Sequence, residues 1–93
     1  MTQLLTEEEI QEKVSHLPNW TLQASTLQCT RQFKDFIEAI EFVNKLVEPA
    51  ESAQHHPDIE ISYNKVKISL TTHDAGGLTQ KDFDLAKLIS EIN

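Results

Sequence analysis

The sequence predicts an α+β domain of two layers, with the order α-β-β-α-β-β-α and helices packed on one face of a four-stranded antiparallel sheet. Apolar and polar residues alternate along 59–63 and 66–71, which is typical of two strands joined by a tight turn. Apolar residues recur every three or four positions along 36–50, the period of an amphipathic helix. Strand pairs on short turns form antiparallel sheets, and such a helix buries its apolar stripe against one sheet face.

The chain is expected to begin with a helix and a pair of strands. Thr6 opens a Thr-Glu-Glu-Glu segment, a capping box in which Glu9 is the third helical residue. Segments 20–24 and 27–33 are typical of two short strands around a turn at 25–26.

A second helix should follow Asp35, a residue that favours the N-cap position, with Glu38 three residues later. We expect this helix to kink or break at Pro49 and to resume there with a first-turn proline. The helix should then run to about residue 55 or 56. Pro57 ends it, because the residue before a proline is disfavoured in helical geometry.

The second hairpin and the last helix complete the prediction. Asn64-Lys65 is the expected two-residue connection, since asparagine tolerates the positive φ of a tight turn. The strand after it ends before His73, and Gly76-Gly77 makes a flexible break. Thr79 should cap the last helix, with Asp82 in its first turn, where a carboxylate favours the helix dipole.

Composition narrows the classes of function. The 93 residues predict one domain spanning 1–93, and the net charge of -7 disfavours direct nucleic-acid binding. No apolar run approaches the roughly 20 residues that cross a membrane. The N-terminus does not resemble a signal peptide, and the single Cys29 cannot form an intrachain disulfide, so a cytoplasmic protein is expected.

Edge strands of such a small sheet are often hidden by a second copy, which predicts a homodimer or homotetramer.

Three of the four histidines, His55, His56 and His73, fall close together in the sequence. Imidazole titrates near neutral pH, so three histidines brought together could both donate and accept protons. Ordinary surface histidines and a metal site are the alternatives. Adjacent helical residues point about 100° apart and rarely bind one ion, so no metal is expected. The sequence gives less support to a nucleophilic role for Cys29, because a mid-strand cysteine is most often a small buried hydrophobic residue.

A set of residues at fixed spacings between positions 51 and 82 resembles the signature of the pterin-4a-carbinolamine dehydratases. The set consists of Glu51, His55, His56, Pro57, Tyr63, His73 and Asp82. The element order and length fit the family over nearly the whole chain. Ile59 departs from the pattern, because several animal members carry an aromatic residue there, and this bears on how the pterin ring is flanked.

The resemblance implies a reaction and its chemistry. Aromatic amino acid hydroxylases release 4a-hydroxytetrahydropterin, and the family removes its hydroxyl as water to give quinonoid dihydropterin in tetrahydrobiopterin recycling. An acid must protonate the leaving oxygen and a base must take the N5 proton. Imidazole suits both steps, and neither needs a cofactor.

The resemblance also implies roles for the residues. His55 and His73 become the acid-base pair and His56 positions the substrate. The residues implied in binding or orienting the substrate are Glu51, Pro57 and Asp82. Glu51 precedes His55 by four residues and is expected to orient it across one helical turn. Each carboxylate also has a structural interpretation, Glu51 as a solvated helix residue and Asp82 as a partner of the helix dipole.

A protein-binding module is the rival function. Animal members of the family also act as a dimerisation cofactor for a homeodomain transcription factor. Such a role would use the apolar face of the second helix, residues 36–47, and the same face would serve self-association. The histidine set favours catalysis, because an adaptor has no need of three imidazoles.

Overall fold

The computed structural model describes residues 3–92 and has the predicted element order, with the second helical segment divided into two helices. The helices are α1 (Glu7–Val14), α2 (Phe36–Lys45), α3 (Val47–Ala53) and α4 (Gln80–Ser90). The strands are β1 (Thr21–Gln23), β2 (Thr26–Gln32), β3 (Asp58–Ser62) and β4 (Lys65–Leu70), and a 3-10 turn spans His73–Ala75. The four strands form one antiparallel sheet in the order β1-β2-β4-β3, which confirms the α+β prediction.

One face of the sheet and the helices enclose the core. Along β4, Val66, Ile68 and Leu70 are buried, whereas the residues between them are only half-buried. Buried residues of the helices join them in one apolar cluster, among them Ala39, Phe42, Leu46, Phe83, Leu85, Ala86 and Ile89. Cys29 belongs to this cluster as predicted, and burial raises the pKa of its thiol.

Helix starts lie where the sequence predicts them. The Thr6 hydroxyl accepts a hydrogen bond from the Glu9 backbone N–H at 3.1 Å, and the Glu9 carboxylate accepts one from the Thr6 N–H at 2.8 Å. The hydrogen bond from the Thr6 backbone N–H lowers the pKa of the Glu9 carboxyl. Asp35 caps α2 by accepting from the Glu38 N–H at 2.9 Å. The predicted caps at Thr6 and Asp35 are confirmed.

Both hairpin turns begin one residue earlier than predicted. Ser62 pairs with Lys65, so the second turn is Tyr63-Asn64 and the positive φ, 52°, falls on Tyr63 rather than on asparagine. The cause is that Asn64 is already held by Phe33: its carbonyl accepts from the Phe33 N–H, and its side-chain amide donates to the Phe33 carbonyl, both at 2.8 Å. The Tyr63 side chain is 66% exposed, so it lies outside the core.

The second helix breaks at Leu46, not at Pro49 as predicted. A proline at 49 has no N–H to donate to the carbonyl of Lys45, and α2 ends at that residue. Helix α3 restarts at Val47 and places Pro49 in its first turn, where the N–H has no helical partner. The predicted end at residue 55 or 56 was also wrong, because α3 ends at Ala53.

Truncating Phe42 is expected to lower the free energy of unfolding by about 3–5 kcal/mol. Its side chain is 2% exposed, its ring centroid lies 5.0 Å from that of Phe33, and the Arg31 guanidinium carbon lies 4.4 Å from its centroid. Urea unfolding followed by circular dichroism measures the loss for Phe42→Ala. The control is Phe36→Ala on the same helix, where the side chain is 50% exposed; equal losses would contradict the packing described.

Candidate functional site

A buried histidine–carboxylate pair lies at the centre of the site. The Nε2 atom of His55 is 2.6 Å from Oδ1 of Asp82. The His55 side chain is 11% exposed and that of Asp82 is 0% exposed. The structure therefore brings together two predicted site residues that are 27 positions apart in the chain.

Two threonines complete the surroundings of the Asp82 carboxylate. Its second oxygen, Oδ2, accepts from the Thr72 hydroxyl at 2.8 Å and from the Thr79 backbone N–H at 2.9 Å. The Thr79 hydroxyl lies 2.8 Å from that of Thr72. Asp82 also lies in the first turn of α4, where the helix dipole favours negative charge. The free-energy cost of burying this carboxylate is thus offset by hydrogen bonds that both of its oxygens accept.

The chain turns sharply to deliver His55 to Asp82. After α3 ends, Gln54 adopts the left-handed conformation, with φ of 51°. The His55 N–H then donates to the Ala50 carbonyl at 3.1 Å, which fixes the first residue of the loop on the helix end. This turn directs His55 toward α4, and His56 follows outside the helix.

The hydrogen bond fixes which nitrogen of His55 carries the proton. An ionised carboxylate only accepts hydrogen bonds, so the Nε2 atom facing Asp82 is the donor. In the neutral ring, Nδ1 is then unprotonated. The ring thus presents a proton acceptor away from Asp82, and the buried carboxylate stabilises the imidazolium that forms when Nδ1 takes a proton.

His56 forms a second, exposed pair. Its Nε2 lies 2.5 Å from Oε2 of Glu51, and the two side chains are 63% and 67% exposed. The expectation that Glu51 orients His55 was wrong, because the Glu51 carboxylate contacts His56 instead. It assumed a helix continuing through His55, whereas the end of α3 and the left-handed Gln54 turn His55 away.

His73 begins the 3-10 turn that follows β4 and is exposed. The turn is closed by a bridge between Thr72 and Gly77, with the Thr72 N–H donating to the Gly77 carbonyl at 3.0 Å. His73 therefore follows directly on the threonine that binds Asp82. Its side chain makes no hydrogen bond to another residue within the stretch 3–92.

A small groove opens beside the His56–Glu51 pair. Its volume is about 190 Å³, and it lies between α2, α3 and the start of β3. The groove is lined by Val43, Leu46, Val47, Ala50, Glu51, His56, Pro57 and Ile59. Pro57 and Ile59 thus contribute to its wall. A larger cavity of about 780 Å³ runs along α1 and touches none of the predicted site residues.

Sequence reasoning missed Thr72 and singled out Thr79 only as a cap. The one available signal for Thr72 was its position directly before His73.

In the described part of the chain, no group of three His, Cys, Asp or Glu side chains is placed to hold a metal ion. None of the helices within 3–92 is long and apolar enough to cross a membrane.

Comparison with known proteins places this geometry in a family. The model of the family described as pterin 4 alpha carbinolamine dehydratase matches residues 3–92. A protein of a Nostoc species, provisionally named pterin-4-alpha-carbinolamine dehydratase, is 75% identical over 93 residues, which is 100% of both chains. A relative from Acidobacterium capsulatum with the same provisional name is 53% identical over 88 residues, 95% of this chain and 96% of that one.

Solved structures agree with the fold. A crystal structure from Brucella melitensis, described as a transcriptional coactivator/pterin dehydratase, is similar with a TM-score of 0.88 and 32% identity, over 92% of this chain and 94% of that one. A pterin dehydratase-like protein identified as a RuBisCO assembly factor in the alpha-carboxysome has a TM-score of 0.60 and 18% identity, over 75% and 81% of the two chains. The second likeness concerns the fold alone.

Proposed function

The chain belongs to the pterin-4a-carbinolamine dehydratase family of hydro-lyases, and on this premise we propose that it converts 4a-hydroxytetrahydropterin to quinonoid dihydropterin by histidine acid-base catalysis. The observation that carries the proposal is the His55–Asp82 pair. The fully buried carboxylate orients the nearly buried imidazole and stabilises its protonated form, which favours general-base catalysis.

The reaction needs one proton removed and one supplied. The base takes the proton from N5, the N5 electron pair forms the double bond to C4a, and the C4a–oxygen bond breaks. The acid protonates the departing oxygen, which leaves as water. Product and water together contain every atom of the substrate, so no oxidant or reductant takes part.

The surroundings of the histidines support different roles for them. His55 offers an unprotonated Nδ1 and a carboxylate behind the ring, so we assign it as the base. His73, on an exposed turn, is the proposed acid. His56, paired with Glu51 at the rim of the apolar groove, is proposed to position the pterin, with Pro57 in the groove wall.

The wider setting follows from the substrate. A pterin-dependent hydroxylase, which leaves an oxygen on C4a of its pterin, would supply this carbinolamine. We accordingly propose a place in tetrahydrobiopterin recycling, with the protein in the cytoplasm.

Stopped-flow spectroscopy of freshly generated 4a-hydroxytetrahydropterin tests the proposal. The wild-type protein should accelerate the loss of ultraviolet absorbance over the spontaneous reaction, and a metal chelator should leave the rate unchanged. His16→Ala serves as the control variant, since His16 is exposed and pairs only with Glu12 on α1. A folded wild-type protein that gives no acceleration would exclude this function.

Assembly through α2 is the second candidate, favoured by an exposed apolar surface. Phe36 is 50% exposed and Ile37 is 69% exposed, and Val47 at the start of α3 is exposed as well. We propose that a second copy of the chain, or another protein, covers these side chains. Ile40 and Val43, also predicted for this face, are half-buried.

Making the exposed part of α2 polar is expected to abolish assembly without unfolding the domain. In Phe36→Ser/Ile37→Ser the core residues Ala39 and Phe42 are untouched, so stability should change little. Analytical ultracentrifugation measures the mass, and the stopped-flow assay measures turnover. A variant that keeps the wild-type mass would contradict assembly through this surface.

A further inference from the structure

Thr72 connects two parts of the proposed site through its side chain. It is 6% exposed, and its hydroxyl donates to Oδ2 of Asp82 at 2.8 Å. Since that hydrogen is used, its oxygen accepts from the Thr79 hydroxyl, 2.8 Å away. The other oxygen of the same carboxylate accepts from His55. The Thr72 hydroxyl thus acts on the opposite end of the group that orients the imidazole.

The backbone of Thr72 holds the turn that carries His73. Its N–H donates to the Gly77 carbonyl at 3.0 Å. Its carbonyl accepts from the N–H groups of Ala75, Gly76 and Gly77 at 3.1, 3.0 and 3.3 Å. One residue therefore makes the bonds that close the turn and also one of the bonds that fix the carboxylate.

We propose that Thr72 is a positioning residue that fixes the orientation of the His55 ring relative to the His73 turn through Asp82. This rests on the proposed function, in which His55 and His73 act on the same substrate. Without the hydroxyl, Oδ2 of the carboxylate keeps only the Thr79 backbone N–H of its two donors, so the carboxylate is held less firmly in its orientation. The preference for a proton on Nε2 of His55 then weakens, and the base loses part of its unprotonated Nδ1.

A purely structural role makes a different prediction. A threonine that only satisfies a buried carboxylate would contribute to folding stability, since an unpaired buried acceptor costs about 1–3 kcal/mol. It would leave the protonation of the His55 ring unchanged in the protein that remains folded. The ring nitrogens of His55 therefore distinguish the two roles.

The experiment compares Thr72→Val, which keeps the shape and loses the hydroxyl, with Thr72→Ser, which keeps the hydroxyl. We expect Thr72→Val to lower kcat by about tenfold, the loss typical when a partner behind a functional histidine is removed. KM should stay near the wild-type value. In nitrogen-15 NMR spectra, the separate Nδ1 and Nε2 signals of His55 should move toward their common average. Thr72→Ser should restore both readouts.

Thr71→Val is the matched control, because the Thr71 hydroxyl donates to the Ser25 carbonyl at 2.9 Å, away from Asp82. It should leave kcat and the His55 signals unchanged. If Thr72→Val does not fold, Thr72→Cys keeps a similar volume with a weak donor and takes its place against Thr72→Ser. A folded variant with reduced stability but wild-type kcat and His55 signals would overturn the proposal.

The two readouts also separate this proposal from the function on which it rests. A wild-type protein without dehydratase activity would remove the proposed reaction, while the nitrogen signals would still show whether Thr72 fixes the His55 ring. A double-mutant cycle gives a further check. If Thr72 acts through Asp82, Thr72→Val should add no loss of kcat to Asp82→Asn; additive losses would overturn the proposal.

Discussion

Replacing His55 by alanine is expected to lower kcat for 4a-hydroxytetrahydropterin by about a hundredfold or more, the usual contribution of a general acid or base. The variant loses the imidazole that faces the buried Asp82 carboxylate. KM should change less, because His56 and the groove beside it remain. Stopped-flow measurement at saturating substrate gives kcat directly.

Two other histidine variants test the roles proposed for His73 and His56. His73→Ala should produce a loss of similar size, since it removes the proposed acid. His56→Ala should act mainly on KM, because the exposed His56–Glu51 pair is proposed to position the pterin. Wild-type kcat in a folded His55→Ala variant would exclude His55 as the base.

Replacing Asp82 by alanine is expected to damage both stability and catalysis. The change leaves His55, the Thr72 hydroxyl and the Thr79 N–H without their buried acceptor. A buried donor left without its acceptor costs about 1–3 kcal/mol of the free energy of unfolding, and this change leaves more than one. Without the carboxylate, the His55 tautomer is no longer fixed, so kcat should fall by about a hundredfold or more even in the folded fraction.

Asp84→Ala is the control for this change, on the same helix and with the same charge removed. Asp84 is exposed and accepts only from the Gln80 side chain, so its loss should change stability by about 0.5 kcal/mol or less and leave kcat unaltered. Urea unfolding and stopped-flow assays on both variants make the comparison. Equal effects at Asp82 and Asp84 would show that burial of the carboxylate has no special role.

The parts of the fold that local patterns determine were predictable. Caps at Thr6 and Asp35 depend on a side chain and a backbone N–H three residues away, and the alternation in β4 depends on one sheet face being buried. The turn at Tyr63-Asn64 could not be placed in this way. Its register depends on bonds between Asn64 and Phe33, which are distant in the chain.

In the site, too, some residues could be predicted from the sequence and others could not. The histidines and Asp82 stand out in the sequence, whereas their hydrogen-bond partners depend on the tertiary structure. Glu51 has helical spacing from His55 but meets His56, because Gln54 turns the chain out of the helix first. The position of Thr72 before His73 does not indicate that its hydroxyl lies against the first turn of α4.

Chemical rescue tests most directly whether the imidazole of His55 moves the proton. Imidazole would be added to the folded His55→Ala variant at saturating 4a-hydroxytetrahydropterin, with the His16→Ala variant as control. The dehydration rate of His55→Ala is expected to rise with imidazole concentration beyond any effect on the control or on the spontaneous reaction. If the variant binds pterin like the wild type yet gains no rate from imidazole, His55 does not move the proton.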